Sequence, residues 1–441
     1  MSTPSTQTEP VCLDTAPLIR IGFLGFGVVG TGTYRMLVDN CGSITRKIGS
    51  NFEIARIGIR DTEKHREAPP ELFTTDLQSI VDDPRIDIVI EVMGGVQPAG
   101  DLIERALRNG KHVVTANKEL IAKHGAELIR FAAKQHLDLH FEAAVGGGIP
   151  LIQPLKHQLA GNDVLKLMGI VNGTTNYILT KMTEEGSSLN DALAEAQAKG
   201  YAEADPTADV DGFDAQYKIA ILTTIAFGKE VPVEAVHREG IRGLTADDIH
   251  FASVLGYRVK LLGIAEAFPE GVLARVHPTL LPKKHPLANV HDVYNAVSVK
   301  GDFVGDVIFS GRGAGSDPTG SAIVGDLIDV ARNIRLGGAG NVLTPEAGGK
   351  FLPIGDLESR FYLRMTVDDR PKVLGAVASR LGEFDVSLTD MEMRVVDSAD
   401  SRGEIVFLTH RCRERDFRAA IGALEREGIV RKIENTFRVE D

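Results

Sequence analysis

The chain first shows regular order at an apolar run, IRIGFL (19–24), that opens directly into the glycine turn GFGVVG. That pattern predicts a β-strand followed at once by a helix running to about residue 38. Further short apolar runs, bounded by polar or turn-forming positions, predict strands over 52–59, 86–92, 112–115 and 137–141. Between them, apolar residues recur at helical spacing over 100–109 and 119–134. Strands alternating with helices of this length predict an α/β region built on a parallel, doubly wound sheet. Such sheets bind ligands in the crevice at the carboxyl ends of their strands.

The rhythm changes at EAAVGGGIP (142–150). Long helical stretches follow over 177–185, 188–199 and 214–227, then alternating segments over 272–277 and 296–301. This middle region reads as α+β, with helices over a mixed or antiparallel sheet. Residues 311–334 combine a glycine-rich turn with an amphipathic helix, and the linker GGAGNVLTPEAGGK (337–350) sets off the tail. The tail predicts strand 360–367, helix 371–383 and strands 386–396 and 404–410 around a polar hairpin, DSADSRG. Helix 414–427 and strand 429–439 complete it. That βαββαβ order is the ferredoxin-like split unit. It is too small to hold the main chemistry, so a regulatory or dimerising role is expected. The expected organisation is a frayed tail over 1–17 and a nucleotide-binding domain over 18–150, completed by a helix over 313–335. A catalytic and dimerisation domain over 151–312, a linker over 336–357 and the small module over 358–441 follow.

A length of 441 residues is consistent with this division at ~150 residues per domain. A net charge of −12 argues against nucleic acid or an anionic membrane as partner, because both would repel the chain. Three scattered cysteines (Cys12, Cys41, Cys412) make no disulfide framework or cysteine zinc site, which fits a reducing cytoplasm. No apolar run approaches the ~20 residues needed to span a bilayer, and the first residues lack the pattern of a signal peptide.

The chemistry concentrates in GYAEADPTADVDGFDAQYK (200–218), which places Glu203, Asp205, Asp209, Asp211 and Asp214 close to a single lysine, Lys218. On a helix, Asp214 and Lys218 are neighbours on one face. Carboxylates around one ammonium suit a positively charged amino-acid substrate with a proton donor. Asp205, next to Pro206, and Asp211 are also explained as turn and cap residues. A calcium loop is excluded because Val210 stands where that loop requires glycine. In GFGVVG, Gly25 makes a tight turn, Gly27 admits a pyrophosphate and Gly30 allows close helix packing, with amides around Phe26, Val28 and Val29 facing the phosphates. Arg60 ends the second strand, where an acid would favour NAD; a guanidinium favours a 2′-phosphate, so NADP is expected and NAD remains compatible. Lys118, in VVTANKEL, overlooks the same crevice. NGTTNYIL (172–179) could hold a carboxylate, or Thr174 could simply cap a helix.

Taken together, GFGVVG, VVTANK, EAAVGGGIP, NGTTNYIL and above all the 200–218 segment resemble homoserine dehydrogenase, from about residue 19 to 334. The resemblance implies a Rossmann-like cofactor domain and reversible reduction of L-aspartate 4-semialdehyde to L-homoserine by NAD(P)H, a step serving threonine, methionine and isoleucine synthesis. It implies Lys218 as proton donor, with Lys118 contacting substrate and cofactor. Glu203 and Asp214 bind substrate, Asp209 supports them, and Gly94, Gly200 and Gly315 lie near the nucleotide. It also implies a sodium site formed by Glu142 and the carbonyls of Val145, Gly147 and Ile149. The tail resembles an ACT domain, which implies a threonine effector and a homodimer or homotetramer. One departure bears on the effector: ACT modules often read Asp-x-Pro-Gly at their first turn, and here Lys372 replaces that glycine. Two alternatives stay open. An aspartate-semialdehyde dehydrogenase would need a nucleophilic cysteine, and none is well placed. A non-catalytic nucleotide and amino-acid sensor would need neither Lys218 nor the carboxylates.

Overall fold

The computed structural model describes residues 17–61, 64, 66–340, 344–397 and 402–440, without the side chains of 395–397. Most of the expected frayed tail, with Cys12, and the tip of the DSADSRG hairpin lie outside the described residues.

The nucleotide-binding sheet has six parallel strands: β1 (Ile19–Leu24), β2 (Phe52–Gly58), β3 (Phe73–Thr74), β4 (Ile88–Glu91), β5 (His112–Thr115) and β6 (Leu139–His140), in the order β3-β2-β1-β4-β5-β6. Helices cover both faces, so β4 is buried along its whole length, and such strands read as unbroken apolar runs rather than alternating ones. The order reverses between β1 and β4, which opens the ligand crevice at their carboxyl ends. The expected strand over 137–141 shrinks to two residues, because Asp138 gives its N–H to His112 Nδ1 and a short 3-10 turn begins at Glu142. Helix Ser316–Leu336 returns from far along the chain and lies against helix Val28–Asp39 at Gly32 and Gly320. A Cβ on Gly320 would sit 2.9 Å from the Thr33 backbone, so this crossing requires glycine.

The second sheet contains β7 (Val164–Ile170), β8 (His237–Arg238), β9 (Tyr257–Phe268), β10 (Gly271–Pro282), β11 (Tyr294–Gly301) and β12 (Gly305–Arg312). Its spine, β12-β11-β7-β9-β10, is antiparallel throughout. The periodicity reading found only the first half of β10 and missed β9, although the two form a hairpin of twelve-residue strands. Pro278 and Pro282 within β10 weaken its strand signal. Helix Phe213–Phe227 is apolar on nearly all sides and is buried against this sheet. A Cβ on Gly263 of β9 would come within 3.2 Å of Ile219, so the glycine lets the helix settle close and fixes the height of Lys218.

The last module contains β13 (Glu358–Asp368), β14 (Leu388–Asp397), β15 (Arg402–Thr409), the two-residue β16 (Cys412–Arg413) and β17 (Lys432–Val439), with helices Val373–Gly382 and Glu414–Arg426 on one face. Its order, β17-β13-β15-β14, is ferredoxin-like. The module is not tethered loosely: β17 pairs with β10 at Thr279–Arg438 and Leu280–Val439, so the two sheets are continuous. Ion pairs lock the seam. Arg438 bonds Glu239 at 2.9 Å as well as Glu414, Arg364 bonds Asp248 at 2.7 Å, and Glu440 accepts from Arg275 at 2.6 Å and Lys166 at 2.5 Å. The linker takes part too, since Glu346 pairs its backbone with Gly228 and Glu230.

Burial would raise the carboxyl of Glu440, but Arg275 and Lys166 outweigh it and hold the group at about 2. A depressed carboxylate stabilises the fold fully above its unfolded value near ~4.3 and loses that contribution as pH falls toward the folded value. Docking of the module is therefore expected to weaken between about pH 4 and pH 2. Hydrogen exchange at Thr279 and Leu280 is the readout, and Glu440→Gln should show the loosened seam already at neutral pH.

Candidate active site

The glycine turn follows β1. Gly25 has φ +102°, and a Cβ there would lie 2.9 Å from the Val92 carbonyl; one on Gly30 would lie 2.9 Å from the Gly25 carbonyl. Gly27 faces open space and starts helix Val28–Asp39 without a side-chain cap, so the first-turn amides point outward. Val28 is exposed and Val29 half-buried, while Phe26 packs its ring edge-on against Tyr34 and Phe73. A cavity of about 300 Å³ runs from this turn past Arg60, Lys64 and Arg66. These three cations follow β2 with Asp61 among them, and the sequence reading had named only Arg60 of the three.

The neighbouring strand end is held by Glu91, which that reading also missed. Buried at the end of β4, it accepts from the N–H groups of Met93 at 2.7 Å and Gly94 at 3.2 Å and from Thr115 Oγ1 at 2.6 Å. Burial pushes its carboxyl up despite those bonds. The available signal was an acid, Glu91, near the end of the apolar run IDIVIEV. Gly94 takes φ +75°, and nothing lies within 4 Å of where its Cβ would stand. Gly315 precedes helix Ser316–Leu336, and Ser316 Oγ donates to the Val28 carbonyl at 2.8 Å, which brings Gly315 beside the glycine turn. Gly200 takes φ +74° just after helix Leu189–Ala198.

Lys118 stands at the start of the helix after β5 and reaches across to the second domain, where its ammonium bonds Asp214 Oδ1. Asp214 Oδ2 accepts from Lys218 Nζ at 2.7 Å and from Asn172 Nδ2 at 2.9 Å. Lys218 also donates to the Val171 carbonyl at 2.7 Å, and Asn172 donates to Asp209 at 2.6 Å. Asp214 and Lys218 are 4 % and 8 % exposed, whereas Glu203 is open to solvent and Asp209 half-buried. Both oxygens of Asp214 are thus engaged by side chains of the protein. Of the carboxylates in this cluster, Glu203 is the one open to solvent, while Asp209 already accepts from Asn172. Asp205 and Asp211 hold local structure: Asp205 accepts from Thr207 N at 3.0 Å, and Asp211 from Arg242 at 2.5 Å. The cap of helix Gly173–Glu185 is Asn172 rather than Thr174, whose hydroxyl donates to the Tyr201 carbonyl at 2.7 Å.

The two lysines differ electrostatically. Burial lowers the pKa of Lys218 and the nearby Lys118 charge adds to that, so Asp214 does not restore it. For Lys118 the effect of burial is outweighed by Asp214, Asp209 and Glu203, and its pKa is raised. Burial alone would raise Asp214, but the two ammonium groups hold it well below the usual carboxylate range. Asp209 is pushed up by burial and by the Asp214 charge. Lys118 is thus a fixed cation, and Lys218 is the group with the looser proton.

The loop after β6 carries the residues expected to hold a cation. Gly146 and Gly147 have φ of +73° and +54°, which turns successive carbonyls of the loop in different directions. The Glu142 carboxylate accepts from Leu151 N at 2.6 Å, Ile152 N at 2.8 Å and Gln153 N at 2.7 Å. With that side chain engaged, the loop fits a hard cation through backbone carbonyls, as oxygen donors of the right kind.

Residues 25–142 match the family described as "Homoserine dehydrogenase, NAD binding domain", 150–328 match "Homoserine dehydrogenase" and 361–428 match "ACT domain". The chain is 45% identical over 433 residues to a homoserine dehydrogenase of Synechocystis sp., covering 96% of this chain and 99% of that one. A solved homoserine dehydrogenase from Thiobacillus denitrificans is 41% identical with a TM-score of 0.92, over 97% of this chain and 99% of that one. A hyperthermophilic archaeal homoserine dehydrogenase solved in complex with NADPH is 29% identical with a TM-score of 0.61, over 71% of this chain and 98% of that one. A cofactor crevice and a lysine–carboxylate cluster meet across two domains whose sequences match this family end to end, and the chain belongs to the homoserine dehydrogenases.

Proposed function

We propose that this enzyme reduces L-aspartate 4-semialdehyde with NADPH, with Lys218 as proton donor and Lys118 as a fixed cation beside it. The carrying observation is the single carboxylate of Asp214 joined to both lysines, one from each domain. When bound, the reduced nicotinamide supplies a hydride to the aldehyde carbon. Negative charge then develops on the aldehyde oxygen, and Lys218 Nζ transfers its proton there. Asp214 orients the two ammonium groups, while Glu203 and Asp209 hold the substrate's own ammonium. Thr174 and the helix start around it shape the far wall. Aspartate-semialdehyde-dependent loss of NADPH absorbance tests the reading; a folded protein without that turnover would overturn it.

The lowered pKa of Lys218 sets the pH dependence. The reductive rate requires its proton, so it should fall as pH rises through a value below the ordinary ~10.4 of lysine, while the oxidative rate rises through the same value. In kcat profiles measured in both directions, that inflection should vanish in Lys218→Ala.

NADP preference is supported by Arg60, Lys64 and Arg66 along the cavity and by the NADPH complex of the archaeal relative. Arg60→Ala is expected to raise the KM for NADPH about tenfold or more, the value of one charged hydrogen bond, with little change for NADH. Equal losses with both cofactors would remove the assignment. Gly25, Gly27, Gly30, Gly94, Gly200 and Gly315 provide the backbone around the nucleotide in this reading. A monovalent cation, sodium, is held by carbonyls of Glu142, Val145, Gly147 and Ile149, where it stiffens the loop joining the domains. The remaining inferences are a cytoplasmic enzyme of threonine, methionine and isoleucine synthesis, a homodimer or homotetramer, and regulation by an amino acid at the ACT module. No described helix is long and apolar enough to cross a membrane.

A further inference from the structure

Two successive residues after β4, Gly94 and Gly95, take left-handed φ of +75° and +74°. Left-handed backbone cannot continue a strand, so the polar groups of this turn need partners outside the sheet. Side chains from two different elements supply them. At the end of β4, Glu91 Oε1 accepts the N–H groups of Met93 at 2.7 Å and Gly94 at 3.2 Å. After β5, Asn117 Nδ2 donates to the Gly95 carbonyl at 2.6 Å. These two anchors are joined to each other. Thr115 Oγ1 donates to Glu91 Oε2 at 2.6 Å and accepts from Asn117 N at 3.0 Å. Glu91, Thr115 and Asn117 are all buried, where hydrogen bonds are stronger than in water.

The turn lies between the two halves of the site. Val92 and Met93 line the cavity at the glycine turn, and Val92 N donates to the Leu24 carbonyl at 2.9 Å. On the other side, Asn117 caps the helix that begins with Lys118, its Oδ1 accepting from Leu120 N at 3.1 Å. Lys118 carries its ammonium onward to Asp214 in the second domain. One side chain, Asn117, therefore fixes both the turn beside the cofactor cavity and the start of the Lys118 helix. Glu91 meets two backbone donors and a hydroxyl. A carboxamide in its place would set an N–H against Met93 and Gly94, or would deprive the Thr115 hydroxyl hydrogen of its acceptor.

We propose that Glu91 and Asn117 are positioning residues: they tie the 93–95 turn to the Lys118 helix and so set the separation between the bound nucleotide and the Lys118 ammonium. This role rests on the reaction proposed above and adds to it two residues outside the lysine–carboxylate cluster. Asn117→Ser separates the tie from the cap, because serine caps a helix as well as asparagine does but is too short to reach the Gly95 carbonyl. In the protein without cofactor, amide hydrogen exchange at Met93 and Gly94 should quicken in Asn117→Ser, although neither amide bonds residue 117. Glu91→Gln should quicken the same two amides, and Asn117→Ser keeps the test independent of whether Glu91→Gln folds. In turnover, Asn117→Ser should lower kcat about tenfold or more, since a misplacement of ~1 Å can cost on the order of 10²-fold, with the KM for NADPH near the parental value. That loss should be absent in the Lys118→Ala background, where no ammonium is left to misplace. Unchanged exchange at Met93 and Gly94 in Asn117→Ser would overturn the proposal. So would parental kcat in that variant, or equal losses with and without Lys118. The two failures are distinct: an inactive parent enzyme overturns the reaction itself, whereas an active parent with an unaffected Asn117→Ser overturns only this role.

Discussion

Lys218→Ala is expected to lower kcat by 10²–10⁴-fold, the usual value of positioned general-acid help, while NADPH affinity stays near that of the parent. Cofactor affinity should hold because, among the described residues, Lys218 bonds Asp214 and the Val171 carbonyl, neither of which lines the cavity at the glycine turn. Stopped-flow turnover and NADPH fluorescence titration together read both quantities. Near-normal turnover would move the donor role to Lys118. The electrostatics argue against that exchange in advance: burial loosens the proton of Lys218, while Asp214, Asp209 and Glu203 tighten that of Lys118.

Asp214→Ala should be damaging in two ways. It removes the shared acceptor of Lys118, Lys218 and Asn172 and leaves a buried ammonium, Lys218, without its counter-charge. Breaking a buried ion pair by deleting one partner costs about 3–5 kcal/mol, so a clear drop in melting temperature is expected. Turnover should fall at least as far as in Lys218→Ala, since both lysines lose their orientation. Asp214→Asn separates the contributions. It retains the shape but not the charge, so the inflection assigned to Lys218 should move to lower pH. An unchanged melting temperature in Asp214→Ala would mean that the carboxylate does not organise the cleft.

How much was legible in the sequence depended on whether the signal was local. The strand–turn–helix of GFGVVG and the Asp214–Lys218 pair each arise within a few residues, where chain geometry leaves few options. The module's βαββαβ order was legible for the same reason: its elements follow one another with short connections. Boundaries moved where side chains intervened, as when Asn172 capped its helix four residues ahead of the expected start. Strand β9 was missed and β10 only partly found because both are buried on both faces and β10 carries prolines, so period-two alternation is weak.

The sequence by itself determined the residue types of the site and the order of the folding units, because glycine turns, helix spacing and strand runs are properties of neighbouring residues. Only the tertiary structure decided which charges meet. Lys118 and Asp214 lie 96 positions apart, and nothing in the spacing says that they bond. The same holds for the direction in which Lys218 titrates, which burial and a second lysine set against the pull of its own neighbour. It holds also for the joining of the module's last strand to β10 and for the ion pair of Arg275 with Glu440 beside it. The physical reason is common to all four: burial and long-range charge depend on distances in space, which the folded chain sets and the linear order does not.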